Sequence, residues 1–239
     1  MNTSLMSIQN LSAWYDSEKN ILSNFSLELK EHEAVGLIGL NGAGKTTLLN
    51  VISGLHTMFR SEGAWFCGRP IGFREKEFKL CRYTVFSEDD SFGYFTFREY
   101  LSYVCLAYQK ALSDVSELIR GFHFEEFTDI LMKDLSTGNH KKAFLIAAFA
   151  LKPELLFLDE PVNGLDFEST EYLYRQIAGY KEYGTVLFSS HILESITLTS
   201  DRVLVLEHGK IRRILEKEEM NDKDIREALH EEHDMESFF

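Results

Sequence analysis

The chain has 239 residues, 44% of them hydrophobic, a formal net charge of −13 and three cysteines. Such a composition supports a full buried core in one large domain and excludes a disordered chain, while the acidic balance argues against a non-specific nucleic-acid surface, which needs clustered lysine and arginine. Cys67, Cys81 and Cys105 are too scattered for a disulfide framework or a zinc site, and the longest apolar run, 143–151, falls short of the roughly 20 residues that cross a bilayer.

Residues 1–5 carry neither a basic segment nor an apolar run, which predicts a chain that stays in the cytosol. From 6 to 38, alternating runs such as Phe25-Ser26-Leu27-Glu28-Leu29 predict an early β layer. The apolar run Ala34-Val35-Gly36-Leu37-Ile38 predicts a buried strand and Leu48–Ile52 a helix, and between them stands Gly39-Leu40-Asn41-Gly42-Ala43-Gly44-Lys45-Thr46-Thr47. A G-x-x-x-x-G-K-T pattern in that setting reads as a phosphate-binding loop. Its glycines let backbone N–H groups crowd around a polyphosphate, and the helix turns its positive end to the same anion. Lys45 then reaches the β- and γ-phosphates, and Thr46 holds Mg²⁺.

Residues 96–150 read as mostly helical: Thr96 caps a helix over 97–108, Ser113 opens the next, and Ser136 begins a long one. From 155 onward strands and helices alternate, with Leu155–Leu158, Val186–Phe188 and Val203–Leu206 as continuous apolar strands. That pattern predicts a parallel sheet covered on both faces, with ligands gathered at the carboxyl ends of its strands. The phosphate loop, Asp159-Glu160 and His191 all fall at such ends. Adjacent residues leaving a strand point to opposite sides, so Asp159 faces the metal beside Thr46 while Glu160 polarises a water for attack on the γ-phosphate.

Leu135-Ser136-Thr137-Gly138-Asn139, placed ahead of the Asp-Glu strand, is similar to the L-S-G-G-Q signature of one family, and from about Leu5 to Ile214 the chain resembles the ATP-binding subunit of ABC (ATP-binding cassette) transporters. The resemblance implies an α/β fold: a P-loop NTPase core of mostly parallel sheet flanked by helices, an N-terminal antiparallel β layer and a helical subdomain insertion. Core and β layer would take 1–86 and 151–214, the helical subdomain 87–150, and an acidic C-terminal tail 215–239. ATP and Mg²⁺ are the implied cofactors, with Gly39, Asn41, Gly42, Ala43, Gly44, Lys45, Thr46 and Thr47 cradling the phosphates of one subunit's nucleotide. Ser136 and Gly138 would contact the γ-phosphate held by the other subunit, so the implied unit is a dimer, either of two copies or with a homologous partner.

By the same resemblance Asp166, in Gly164-Leu165-Asp166, belongs to the loop through which the two subunits sense each other's site, and His191 is the switch histidine that orients Glu160. Tyr15 stands where an aromatic stacks on adenine, with Trp14 as its neighbouring rival. Ser87 occupies the place of a glutamine that contacts Mg²⁺ and water, and serine is much shorter. Either a water bridges the gap, or Glu88 or Asp89 takes over, or coupling to the membrane partner is altered. Thr137 replaces a glycine, which is acceptable only where the backbone needs no positive φ.

Ser136, Gly138 and the basic pair Lys141-Lys142 together resemble the subfamily of small ATPases that serve exporters with separately encoded membrane subunits. The implied partners are therefore a second nucleotide-binding subunit and integral membrane permease subunits at the cytoplasmic face of the membrane, not nucleic acid. Residues 87–95 are the expected permease contact, and the aromatic group Phe92, Tyr94, Phe95 and Phe97 either joins that contact or is buried within the insertion. The expected cargo is a peptide, a drug-like compound or a lipid. The alternative is an ABC-type ATPase that acts as a cytosolic nucleotide-dependent switch, and a cassette that binds ATP but turns over poorly is a third reading.

Overall fold

The computed structural model describes residues 3–16 and 19–220. The acidic end of the chain beyond 220, including the closing Phe pair, lies outside these residues. In chain order the elements are β1 (Ser4–Trp14), β2 (Asn20–Lys30), β3 (Ala34–Ile38), α1 (Lys45–Ile52), β4 (Phe59–Arg60), β5 (Gly63–Phe66), β6 (Arg69–Pro70) and α2 (Lys76–Cys81). They continue with β7 (Arg82–Val85), α3 (Phe97–Ala107), α4 (Ser116–Gly121), α5 (Thr137–Leu151), β8 (Leu155–Leu158), α6 (Phe167–Gly179), β9 (Thr185–Ser189), α7 (Leu193–Thr199), β10 (Arg202–Glu207) and β11 (Lys210–Glu216).

Period-two burial builds the first sheet. In β2, Phe25, Leu27 and Leu29 are buried while Ser26 and Glu28 face outward, the signature of a strand with one wet face. β2 pairs antiparallel with β1, which pairs on its other edge with β5 and, near its end, with β4; β6 follows β5. This is the expected antiparallel β layer.

The second sheet has the order β11-β10-β3-β9-β8-β7, parallel throughout except for the β10–β11 hairpin at one edge. Its inner strands are apolar without interruption because both faces are covered. Alternate residues feed two cores: Leu156, Leu158, Val186, Phe188, Val203 and Val205 join the core under the helices, while Leu155, Phe157, Leu187, Leu204 and Leu206 join the core shared with the β layer and α1. Each such side chain contributes about 1.5–3 kcal/mol by leaving water. The fold is the expected P-loop core with a β layer and a helical part.

Thr96 caps α3 with a full capping box against Glu99, and Ser136 caps α5, accepting from the Asn139 N–H. Ser113 does not open a helix, contrary to expectation. Asp114 accepts from the Ser116 N–H at 2.9 Å and from its hydroxyl at 2.6 Å, and this local turn delays α4 to Ser116. β11 runs to Glu216 and Leu215 is fully buried, so the fold reaches into the segment assigned to the tail. Among the described residues no helix is long and apolar enough to cross a membrane.

Candidate functional site

The site grows from the exit of β3. The chain turns through Gly39–Gly44 and enters α1 at Lys45, with Gly44 as the N-cap at φ +109. A side chain there would be strained by that backbone and would meet Leu22 Cδ2 at 2.8 Å. No acidic residue occupies the first turn of α1, so its N–H groups and dipole are left to face an anion. Lys45 is buried, its Nζ donating to the Gly39 carbonyl at 2.7 Å and lying 3.8 Å from Glu160 Oε1. A lysine so held across the mouth of the loop is placed to meet phosphate charge.

The next residue links the loop to the exit of β8. Thr46 Oγ1 donates to Asp159 Oδ2 at 3.0 Å, and Asp159, fully buried, also accepts from Ser189 Oγ at 2.7 Å. The same Ser189 Oγ accepts from the Glu160 N–H at 2.8 Å, so the end of β9 sorts the two carboxylates. Glu160 itself has φ +45. The divergence of Asp159 and Glu160 therefore does not come from strand alternation, as the sequence suggested: β8 ends at Leu158, and a left-handed glutamate, costing of order 1–3 kcal/mol, turns its carboxylate away. Such strain persists only where surrounding bonds impose it, and here Ser189 helps to do so. Glu160 Oε2 lies 2.7 Å from His191 Nδ1.

Thr46 and Asp159 offer hard oxygen donors side by side, which suit Mg²⁺. Among the described residues no cluster of three or more His, Cys, Asp or Glu could hold a metal unaided. Tyr15 follows β1 directly, half-exposed, with its ring 4.6 Å from that of His56 and its hydroxyl 3.5 Å from Thr47 Oγ1. It stands beside α1, whereas Trp14 is the last residue of β1. His56 was not anticipated; a sequence offers no signal for it.

Ser136, Gly138 and Asp166 gather elsewhere, at the start of α5 and α6. A Cβ on Gly138 would lie 2.2 Å from the Gly164 carbonyl oxygen, so the start of α5 is packed on the loop after β8 at backbone contact. Gly138→Ala is expected to cost about 1–3 kcal/mol by overpacking. Its thermal unfolding midpoint should fall well below that of Gly179→Ala, whose added Cβ meets nothing within 4 Å. Thr137 opens α5 and has no positive φ, so its β-branch is accommodated. Asp166 caps α6 through the Ser169 N–H at 2.9 Å and takes Lys142 Nζ at 2.5 Å. Partial burial opposes ionisation of Asp166, but the Lys142 hydrogen bond and those from Ser169 outweigh it and hold the carboxyl well below its usual range.

Ser87 enters through its backbone. Its carbonyl accepts from Lys141 Nζ at 2.7 Å, while Asp89 is committed to the Ser91 N–H at 2.9 Å. The sequence-predicted residues thus form two groups, one around the phosphate loop and one at the start of α5 and α6. The hydrogen bonds of Ser136 run to Asn139 and His140, within its own helix.

A family model described as ABC transporter matches residues 22–163. The chain is 34% identical over 220 residues to the putative ABC transporter ATP-binding protein AlbC of Bacillus subtilis (strain 168), covering 89% of this chain and 92% of that protein. It is 28% identical over 207 residues to the zinc import ATP-binding protein ZnuC of Anaplasma marginale (strain St. Maries), covering 86% and 80%. A solved ATP-binding subunit of an ABC transporter superposes with a TM-score of 0.81 at 27% identity, covering 94% of this chain and 92% of that one.

Proposed function

The chain belongs to the ABC transporter family as an ATP-binding subunit, and from that premise we propose that it hydrolyses ATP as a dimer to drive a separately encoded membrane permease. The observation that carries this reading is the continuous chain of contacts from Thr46 through Asp159, Ser189 and Glu160 to His191 around the phosphate loop. Lys45 holds the β- and γ-phosphates, aided by the N–H groups of the loop and α1. Thr46 and Asp159 would hold Mg²⁺, which would neutralise charge on the phosphate oxygens. Glu160 accepts a hydrogen bond from the attacking water and orients it in line with the γ-phosphate. His191 fixes the rotamer of Glu160 and presents its ring to the same phosphate.

Among the described residues, the hydrogen bonds of Ser136 run to Asn139 and His140 of its own helix and not to the phosphate loop. Ser136 and the Gly138 N–H serve the nucleotide of a second copy, or of a homologous subunit, at the start of α5. Asp166 lies beside that contact and reports on it through Lys142. ATP then acts as the glue of the closed pair and hydrolysis releases it.

We place the permease contact at residues 87–95 and the adjoining cleft of about 460 Å³ between α2, β7 and α3, lined by Leu55, Tyr83, Phe86, Tyr100, Tyr103 and Tyr108. Of the four aromatics expected there, Phe97 is core and Phe92 and Phe95 pack against Tyr103, leaving Tyr94 largely exposed. Export of a peptide, drug-like compound or lipid is our reading of the cargo, resting on the resemblance of Ser136, Gly138 and the Lys141-Lys142 pair to small exporter ATPases. The relatives include import ATPases, so the direction of transport is part of the proposal. Co-purification with a membrane protein tests it; recovery only with ribosomes or DNA would replace transport by a cytosolic switch.

Tyr15 stacks on the adenine. Tyr15→Ala is expected to raise the Kd for ATP about 10-fold, within the ~1–3 kcal/mol that a base–aromatic contact contributes, while turnover at saturating ATP stays near native. Equilibrium titration with a fluorescent ATP analogue reads the first, and phosphate release the second. An unchanged Kd moves the base elsewhere.

A further inference from the structure

Adjacent lysines of α5 reach in different directions. Lys142 bonds Asp166 on the loop after β8, and Lys141 Nζ donates to the Ser87 carbonyl, 2.7 Å away on the loop after β7. Neighbouring helical residues project about 100° apart, so a single turn grips two loops of the core. Lys141 is 5% exposed. An ammonium that loses its water in this way must be compensated by carbonyl or carboxylate oxygens. Burial draws its pKa down, and the fields of Asp159, Glu160 and Glu88 oppose that. Lys141 and Ser87 also share the wall of a cleft with Thr137, Glu88 and His140.

One helix therefore carries Ser136 at its start and, a turn later, a buried cation bonded to the loop after β7 of the same chain. α5 is buried from Lys141 to Phe149 while its first turn stays accessible, so a contact made at that turn bears on a helix held in the core. Asp159 and Glu160 open the loop after β8, and β7 is the neighbour of β8 in the sheet.

We propose that Lys141 is a positioning residue of the hydrolytic site: through the Ser87 carbonyl it ties the helix bearing Ser136 to the exit of β7, so that capture of a nucleotide at Ser136 is transmitted to Asp159 and Glu160 of its own chain. The inference rests on reading the site as one that hydrolyses ATP between two copies. It gives Ser87 a role through its backbone, one that its short side chain does not limit.

In the full-length chain, Lys141→Met is expected to lower kcat for ATP hydrolysis about 10-fold while KM and the Kd for ATP stay within about twofold of native. Lys141→Arg keeps a buried cation and a donor and should return kcat to within about threefold. The Lys141→Met, Glu160→Gln double variant should still form an ATP-dependent dimer. If Lys141→Met does not fold, as judged by thermal unfolding, Lys141→Gln takes its place in the same comparison. Native kcat in the neutral variant, equal losses in the neutral and Arg variants, or a Kd that rises in step with the loss overturns the proposal. A native chain that neither hydrolyses ATP nor dimerises with it strikes the reading of the site instead.

Discussion

Lys45→Ala is expected to weaken ATP binding at least about 100-fold and to bring hydrolysis down about 1,000-fold or more, the scale set by losing one charge-assisted contact to a developing phosphate charge in a partly desolvated site. The ammonium is buried, anchored to the Gly39 carbonyl and 3.8 Å from Glu160 Oε1. Its removal takes away the cation that phosphate oxygens meet and leaves the Glu160 carboxylate facing them uncompensated. Both changes oppose nucleotide binding. The fold should survive, because α1 buries Leu48, Leu49, Val51 and Ile52 and none of these contacts involves Lys45. Equilibrium titration with an ATP analogue and a phosphate-release assay, with thermal unfolding as the control, measure the three quantities. Hydrolysis within tenfold of native in a folded variant would remove Lys45 from the phosphate site.

Much of this arrangement was legible in the sequence because its parts are short and stand at strand exits. A buried strand, a glycine-rich turn and a helix in succession fix where backbone N–H groups point, so Gly39–Thr47 could be read as an anion cradle before any coordinates. The continuous apolar runs of β3, β8, β9 and β10 likewise announced a sheet covered on both faces, and with it the gathering of Asp159, Glu160 and His191 at one edge. Two-residue strands such as β4 and β6 carry no periodicity, so they stayed hidden. Ser113 misled because the hydroxyl of a plausible cap competes with a neighbouring Asp whose carboxylate closes a tighter local turn.

The left-handed backbone of Glu160 was illegible for a different reason. Residue type argues against it, and a tertiary hydrogen bond from its N–H to Ser189 Oγ, contributed by the next strand of the sheet, helps to hold it. Backbone contact between Gly138 and Gly164 and the grip of Lys141 on Ser87 are also relations between distant segments. A pattern within one segment can nominate Ser136 and Asp166, but it cannot say that α5 fastens both to the same core.

That fastening shapes the expected behaviour of Glu160→Gln. The amide has the shape of the carboxylate, can occupy the same left-handed position and leaves the Ser189 bond to the backbone N–H in place. What it loses is the negative charge and the ability to draw a proton from the attacking water. Turnover is therefore expected to fall about 100- to 10,000-fold, the usual worth of a positioned general base, with the Kd for ATP within about threefold of native because no phosphate contact is removed. On the proposal that hydrolysis releases the closed pair, the variant should accumulate a dimer on addition of Mg·ATP, seen by light scattering on size-exclusion chromatography, and return to monomer when the nucleotide is removed by chelation and dilution. Adding Lys45→Ala should abolish that dimer. Native turnover in Glu160→Gln would assign the water to another base, and slow turnover without any ATP-dependent dimer would break the link between the phosphate loop of one copy and Ser136 of the other.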